Sequence, residues 1–188
     1  MSTLTIPPET KLITGEELLA MGDIGPCELI DGRIVPMSPA GEEHGDIEFN
    51  LGAELKIFVR QRKLGRVVGG ETGIYIRRNP DRIRAADIAF ISKQRSPGKR
   101  RKGFLEVAPE LVVEVISPTD TWEDMRSKLK DYFSAGVERV WVIDPENREV
   151  LVYRSPKEVE TLGEGDTLTG EGVLAGFALP VANLFAEE

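Results

Sequence analysis

The chain has 188 residues, 40% of them hydrophobic and 30% charged, enough for one full hydrophobic core and therefore read as a single domain over residues 1–188. A lone cysteine, Cys27, excludes an intrachain disulfide framework and a multi-cysteine zinc site. No apolar run reaches membrane-spanning length and the amino terminus lacks a secretory pattern, so a cytoplasmic protein with no membrane partner is expected.

Thr14-Gly15-Glu16-Glu17 is a capping-box pattern and opens a short helix. Leu29 to Val35 reads as a hairpin about Asp31-Gly32, a pair suited to positive φ. A long helix from about residue 41 to 64 follows, with His44, Ile47, Leu51, Leu55 and Phe58 on one face at spacings of three and four. Strands are expected at roughly 67–78, 83–91 and 110–117, with a turn at Asn79-Pro80-Asp81 and a loop over 92–109. The next helix begins after Pro118, capped by Thr119 or Asp120, and Gly136 stops it. Strand 139–144 then pairs with 149–153, and a Gly-rich stretch leads to an apolar segment that seals the core. Gly163-Glu164-Gly165-Asp166 and Gly170-Glu171-Gly172 carry acids and no lysine, which excludes a phosphate loop. Trp122 and Trp141 lie in periodic elements and read as packing residues.

Two acids interrupt apolar strand-like runs: Asp87 in Ala85 to Ile91, and Glu114 in Leu111 to Ile116. Burying an unpaired carboxylate costs several kcal/mol. Either acid alone reads as a core residue held by a turn or an arginine. Together they call for a shared compensating charge, and a divalent metal is the simplest one. By strand alternation Glu114 shares a face with Val112 and Ile116, and Asp87 with Ala85 and Ala89. With the main-chain carbonyl of Val115 they form an oxygen set suited to Mg²⁺ or Mn²⁺. On the helix after Pro118, Met125, Leu129 and Tyr132 define the buried stripe; Lys128 lies at its edge and Lys130 points away. Lys128 is therefore the amine placed to stabilise developing phosphate charge, or else a stem snorkelling from a packed face.

The net charge of −8 is unevenly spread, because residues 56–102 hold fifteen Lys and Arg against three acids. Such asymmetry focuses positive potential on one region of an acidic particle. Lys93, Arg95, Lys99, Arg100, Arg101 and Lys102 are the candidate nucleic-acid contacts, with a solvated loop as the alternative.

The run Cys27 to Gly32, Met37-Ser38-Pro39, the His44 helix, Ala86-Asp87-Ile88, Val113 to Pro118, Lys128 and Gly136 to Asp144 resembles the Uma-type putative restriction endonucleases, a bacterial domain, over about residues 13–185. The resemblance implies an α/β PD-(D/E)XK restriction-endonuclease-like fold, a mixed central sheet flanked by helices. It also implies metal-dependent endonuclease chemistry, with Mg²⁺ or Mn²⁺ as cofactor and nucleic acid, expected to be DNA, as partner. Asp87 and Glu114 correspond to the superfamily's metal-binding acids. Ile116 stands where the superfamily's lysine would be, so Lys128 must supply the amine from the helix. Glu28 and His44 match the remaining polar positions: Glu28 for an outer-shell water or second metal, His44 for the attacking water or a phosphate. A homodimer is consistent with cutting two strands. A catalytically inactive nucleic-acid-binding or assembly module on the same fold is the rival, and a hydrolase of smaller phosphate esters a third reading.

Overall fold

The alternating apolar runs assemble one mixed sheet in the computed structural model, which describes residues 11–98 and 102–186. Its strands are β1 (Cys27–Ile30), β2 (Arg33–Pro36), β3 (Gly65–Arg77), β4 (Arg82–Ser92), β5 (Leu111–Val115), β6 (Arg139–Asp144), β7 (Glu149–Ser155) and β8 (Glu158–Leu162). They run in the order β2-β1-β4-β5-β6-β7-β8, with β3 paired to the other edge of β4. The β5–β6 pair is parallel and its neighbours are antiparallel. Helices α1 (Gly15–Ala20), α2 (Glu42–Gln61) and α3 (Trp122–Ala135) flank the sheet, and β9 (Thr167–Thr169) pairs with β10 (Ala178–Pro180) beside it.

Period decides the layers. The α2 stripe Ile47, Leu51, Leu55 and Phe58 packs on Ile88, Phe90, Val113 and Trp141, and the C-terminal Leu168, Phe177 and Leu184 close the same cluster, as the sequence led us to expect. The α3 stripe Met125, Leu129 and Tyr132 packs on Ala89, Ile91, Val112 and Val142 on the opposite face. Val112 and Val113 thus feed different layers, as alternation requires. Each fully buried aliphatic side chain contributes about 1.5–3 kcal/mol.

The local punctuation is mostly as read from the sequence. Thr14 makes the capping box with Glu17, and Asp31 and Gly32 take φ of 54° and 74° in the β1–β2 turn. Gly136 ends α3 in the left-handed region at φ 95°, where a side chain would be strained. The α3 cap is a correction: Thr121, not Thr119 or Asp120, accepts from the Asp124 amide. The Asp120 carboxylate is already turned back, accepting from the amide and hydroxyl of Ser117 at 2.8 and 2.9 Å.

One topological feature positions the site. Ile83 of β4 pairs with Leu29 of β1 while its other edge pairs with Tyr75 of β3, and residues 88–90 of that first edge pair with β5. β1 and β5 therefore share one edge of β4 and leave residues 84–87 between them without a strand partner on that side. The sheet forks there.

Candidate active site

A strand that loses its neighbour must satisfy its amides by other means. At the fork two acids do this. Glu28 Oε1 accepts from the Ala85 amide at 3.1 Å, and Asp87 Oδ2 accepts from the Val115 amide at 2.6 Å. The opening becomes a cleft of about 670 Å³, bounded by the β2–α2 connection, the start of α2, the end of β5 and the first turns of α3.

Glu114 lies at the bottom and is 1% exposed. Lys128 donates to its Oε2 at 2.6 Å and the Tyr132 hydroxyl donates to Oε1. Burial pushes the Glu114 carboxyl up to about 7, with Lys128 opposing the rise and the charge of Asp87 adding to it. Burial also works against the Lys128 ammonium, but Glu114 and Glu28 outweigh it and hold its pKa above the ordinary value. Burial and the nearby Glu114 raise the Tyr132 phenol, which stays a donor. His44, on the first turn of α2, sets Nε2 3.3 Å from Asp87 Oδ2. The Asp87 bond raises the imidazole pKa despite its burial, with Glu48 and Asp120 adding to the rise. Its Nδ1 is buried without a hydrogen-bond partner among the described residues.

The fold thus brings Asp87, Glu114, Val115, Lys128, Glu28 and His44 to one cleft. Two of them also make bonds that the sequence did not show. The Val115 amide donates to Asp87, which ties the end of β5 to β4. Each Glu28 oxygen accepts one bond, Oε2 from Arg84 Nη1 at 2.6 Å and Oε1 from the Ala85 amide, so the carboxylate is fixed in place at the fork. Lys93 and Arg95 do not reach this cleft. Lys93 and Arg95 follow the carboxyl end of β4, where the Ser92 amide bonds Glu110 ahead of β5. That is five strand residues, about 17 Å, from Val115. Arg95 is further removed as a phosphate contact, because its guanidinium donates to the carbonyls of Ala108, Pro109 and Gly136 and pairs with Glu110 and Glu138. Lys93 and Lys102 are exposed, and Lys99, Arg100 and Arg101 lie outside the described residues.

Residues the sequence reading missed complete the site. Arg84 joins Glu28 to Asp131 of α3. Glu71, held at φ 49° in a β3 irregularity between Gly69 and Thr72, lines the cleft with Asp120 and Asp124. The odd dipeptide Gly70-Glu71 inside an otherwise alternating strand is the signal that marked it.

The donor chemistry fits a hard divalent cation. Asp87 Oδ1 takes no hydrogen bond among the described residues, and a cation shared with Glu114 would offset both its burial and the added repulsion from Asp87. Among the described residues no three His, Cys, Asp or Glu side chains are spaced to hold one ion together, so main-chain or water oxygens must complete any coordination shell.

Residues 16–182 match the model of the Uma2 family, described as putative restriction endonuclease. The fold is similar to the crystal structure of a putative nuclease belonging to DUF820 from Anabaena variabilis, with a TM-score of 0.79, 21% identity, and coverage of 92% of this chain and 97% of that one. No curated protein matches the chain.

Proposed function

The chain belongs to the Uma2 family of putative restriction endonucleases, and from that membership we propose that it is a Mg²⁺- or Mn²⁺-dependent endonuclease that hydrolyses phosphodiester bonds in DNA at the forked cleft. The observation that carries the reading is the meeting of Lys128 Nζ with Glu114 Oε2 at 2.6 Å in the cleft that also holds Asp87. It answers the absence of a lysine at Ile116, because α3 delivers the amine that the strand does not.

Asp87 and Glu114 would hold the cation, which when bound polarises a phosphoryl oxygen and lowers the pKa of water. The remaining tasks fall to the chain. Lys128 keeps its proton beside Glu114 and offers a fixed positive donor to charge developing on the phosphate. Tyr132 fixes the other Glu114 oxygen. His44 and the Val115 amide together orient Asp87, which makes His44 a positioning residue in this reading. Glu28, Glu71, Asp87, Glu114, Asp120 and Asp124 outnumber Arg84 and Lys128 along the walls. Such a cleft repels phosphate until a cation enters, which couples substrate binding to metal.

The deciding experiment is cleavage of plasmid, linear duplex and single-stranded DNA with Mg²⁺ or Mn²⁺ by the native protein and Asp87→Asn, beside binding in Ca²⁺. The expected result is cleavage by the native protein alone, with binding retained in both. Equal cleavage by the variant would assign the activity elsewhere. A non-catalytic binding module is the second reading, favoured by Ile116 and by the tie of Lys128 to Glu114; binding by both proteins with cleavage by neither would establish it.

A further inference from the structure

The face of α2 turned away from the core has a composition the cleft does not use. Asp46, Phe49, Ala53, Ile57 and Arg60 follow one another at spacings of three, four, four and three, which places them along one stripe. Phe49 is 76% exposed and Ile57 42% exposed. An aromatic ring on the open side of a helix whose other side is fully packed marks an interaction surface. Between α2 and β3 the stripe borders an apolar groove of about 530 Å³, lined by Phe49, Gly52, Ala53, Ile57, Val67 and Val68. Its floor is firm: Lys56 donates to the Val67 carbonyl at 2.9 Å, and the Gly70 amide donates to Glu48 at 3.0 Å, so the helix is tied to the strand on both sides of the groove.

The stripe is complementary to itself when reversed. Phe49 and Ile57 stand equally far from Ala53 on either side, and so do Asp46 and Arg60. The first turn of α2 is acidic, with Glu42 and Glu43, and the last turn basic, with Arg60. Asp46 bonds only Asn50, and neither Asp46 nor Arg60 has an ion-pair partner among the described residues. An isologous two-fold contact requires this pattern, in which one residue meets a second and the second meets the first.

We propose that α2 is the interface of a homodimer, paired antiparallel with its copy about a two-fold axis at Ala53. Phe49 of each chain enters the other's groove beside Ile57, and Asp46 of each pairs with Arg60 of the other. The small Ala53 lets the helices approach where they cross. This surface is independent of the chemistry in the cleft.

Sedimentation equilibrium over a wide range of protein concentration tests it without any substrate. The native protein is expected to reach twice the chain mass and to dissociate on dilution. Phe49→Asp, at a largely exposed position, should remain at the chain mass. Asp46→Arg or Arg60→Asp alone sets like charges together and should weaken association about tenfold or more, while the two together restore the pairing with its signs exchanged. Ala53→Cys should cross-link to its own copy under oxidation, and the native protein, with only Cys27, should not. A native protein that stays at the chain mass at every concentration overturns the proposal. So does a dimer that Phe49→Asp leaves intact, or a double exchange that associates no better than the single ones.

Discussion

An ammonium held 2.6 Å from a buried carboxylate is both anchored and kept charged, so the two lysines of α3 should separate cleanly. Lys128→Ala is expected to lower cleavage on the order of 10²–10³-fold, the size of losing one preorganised electrostatic donor. Its fold should survive, checked by circular dichroism, because Glu114 is already raised to about 7 and can take up a proton. Lys130→Ala, at an exposed position, should cut normally. Asp87, Glu114 and Lys128 were visible in the sequence because each violates or edges an apolar pattern. Arg84 was not. A single arginine in a strand reads as surface, and its partners Glu28 and Asp131 lie 56 and 47 residues away in the chain. The bonds that Glu28 and the Val115 amide make were hidden for the same reason, since both depend on where β1 and β5 leave the edge of β4.

Among the elements, the fork is held by charge rather than by a ladder. Glu28 of β1, Arg84 of β4 and Asp131 of α3 form a buried chain of ion pairs that Arg82 continues to Asp31. Removing one member of a buried pair strands the others. Arg84→Met should therefore cost about 3–5 kcal/mol in urea unfolding, and an effect within experimental error would show that the fork is stabilised by packing alone. The long periodic elements α2, α3 and β3 to β7 were legible because their apolar faces repeat many times. β8, β9 and β10 were not, since Glu158–Leu162 is largely exposed and Thr167–Thr169 buries a single leucine. The α3 cap was off by one or two residues because Asp120 and Thr121 are both good caps, and only the turn back to Ser117 decides between them.

Across the whole molecule, charge is divided between folding and surface in a way that composition alone misreads. Arg95 lies in the basic segment but is committed to holding the end of α3 and the start of β5; Arg95→Ala should lower the melting temperature while leaving the salt dependence of DNA binding unchanged, whereas a flattened salt slope would return it to the phosphate surface. The far side of the sheet relies on a second cluster, in which Glu171 accepts from Arg139 at 2.7 and 2.9 Å and from Arg154 at 2.8 Å. It ties the segment between β9 and β10 to β6 and β7. Bonds from Arg154, then Arg139, hold the Glu171 carboxyl below its ordinary value of 4.5 against the opposing effect of burial. A carboxyl whose folded pKa is depressed stabilises the fold above its unfolded pKa, and that contribution is lost as pH falls through the folded value. Glu171→Gln should accordingly melt at lower temperature than the native protein at neutral pH, and the gap should close as the solution is acidified below about 4.5, near the unfolded glutamate value. Thermal unfolding of both proteins across that range is the measurement. A gap of the same size at every pH would mean that Glu171 acts through shape rather than through its charge.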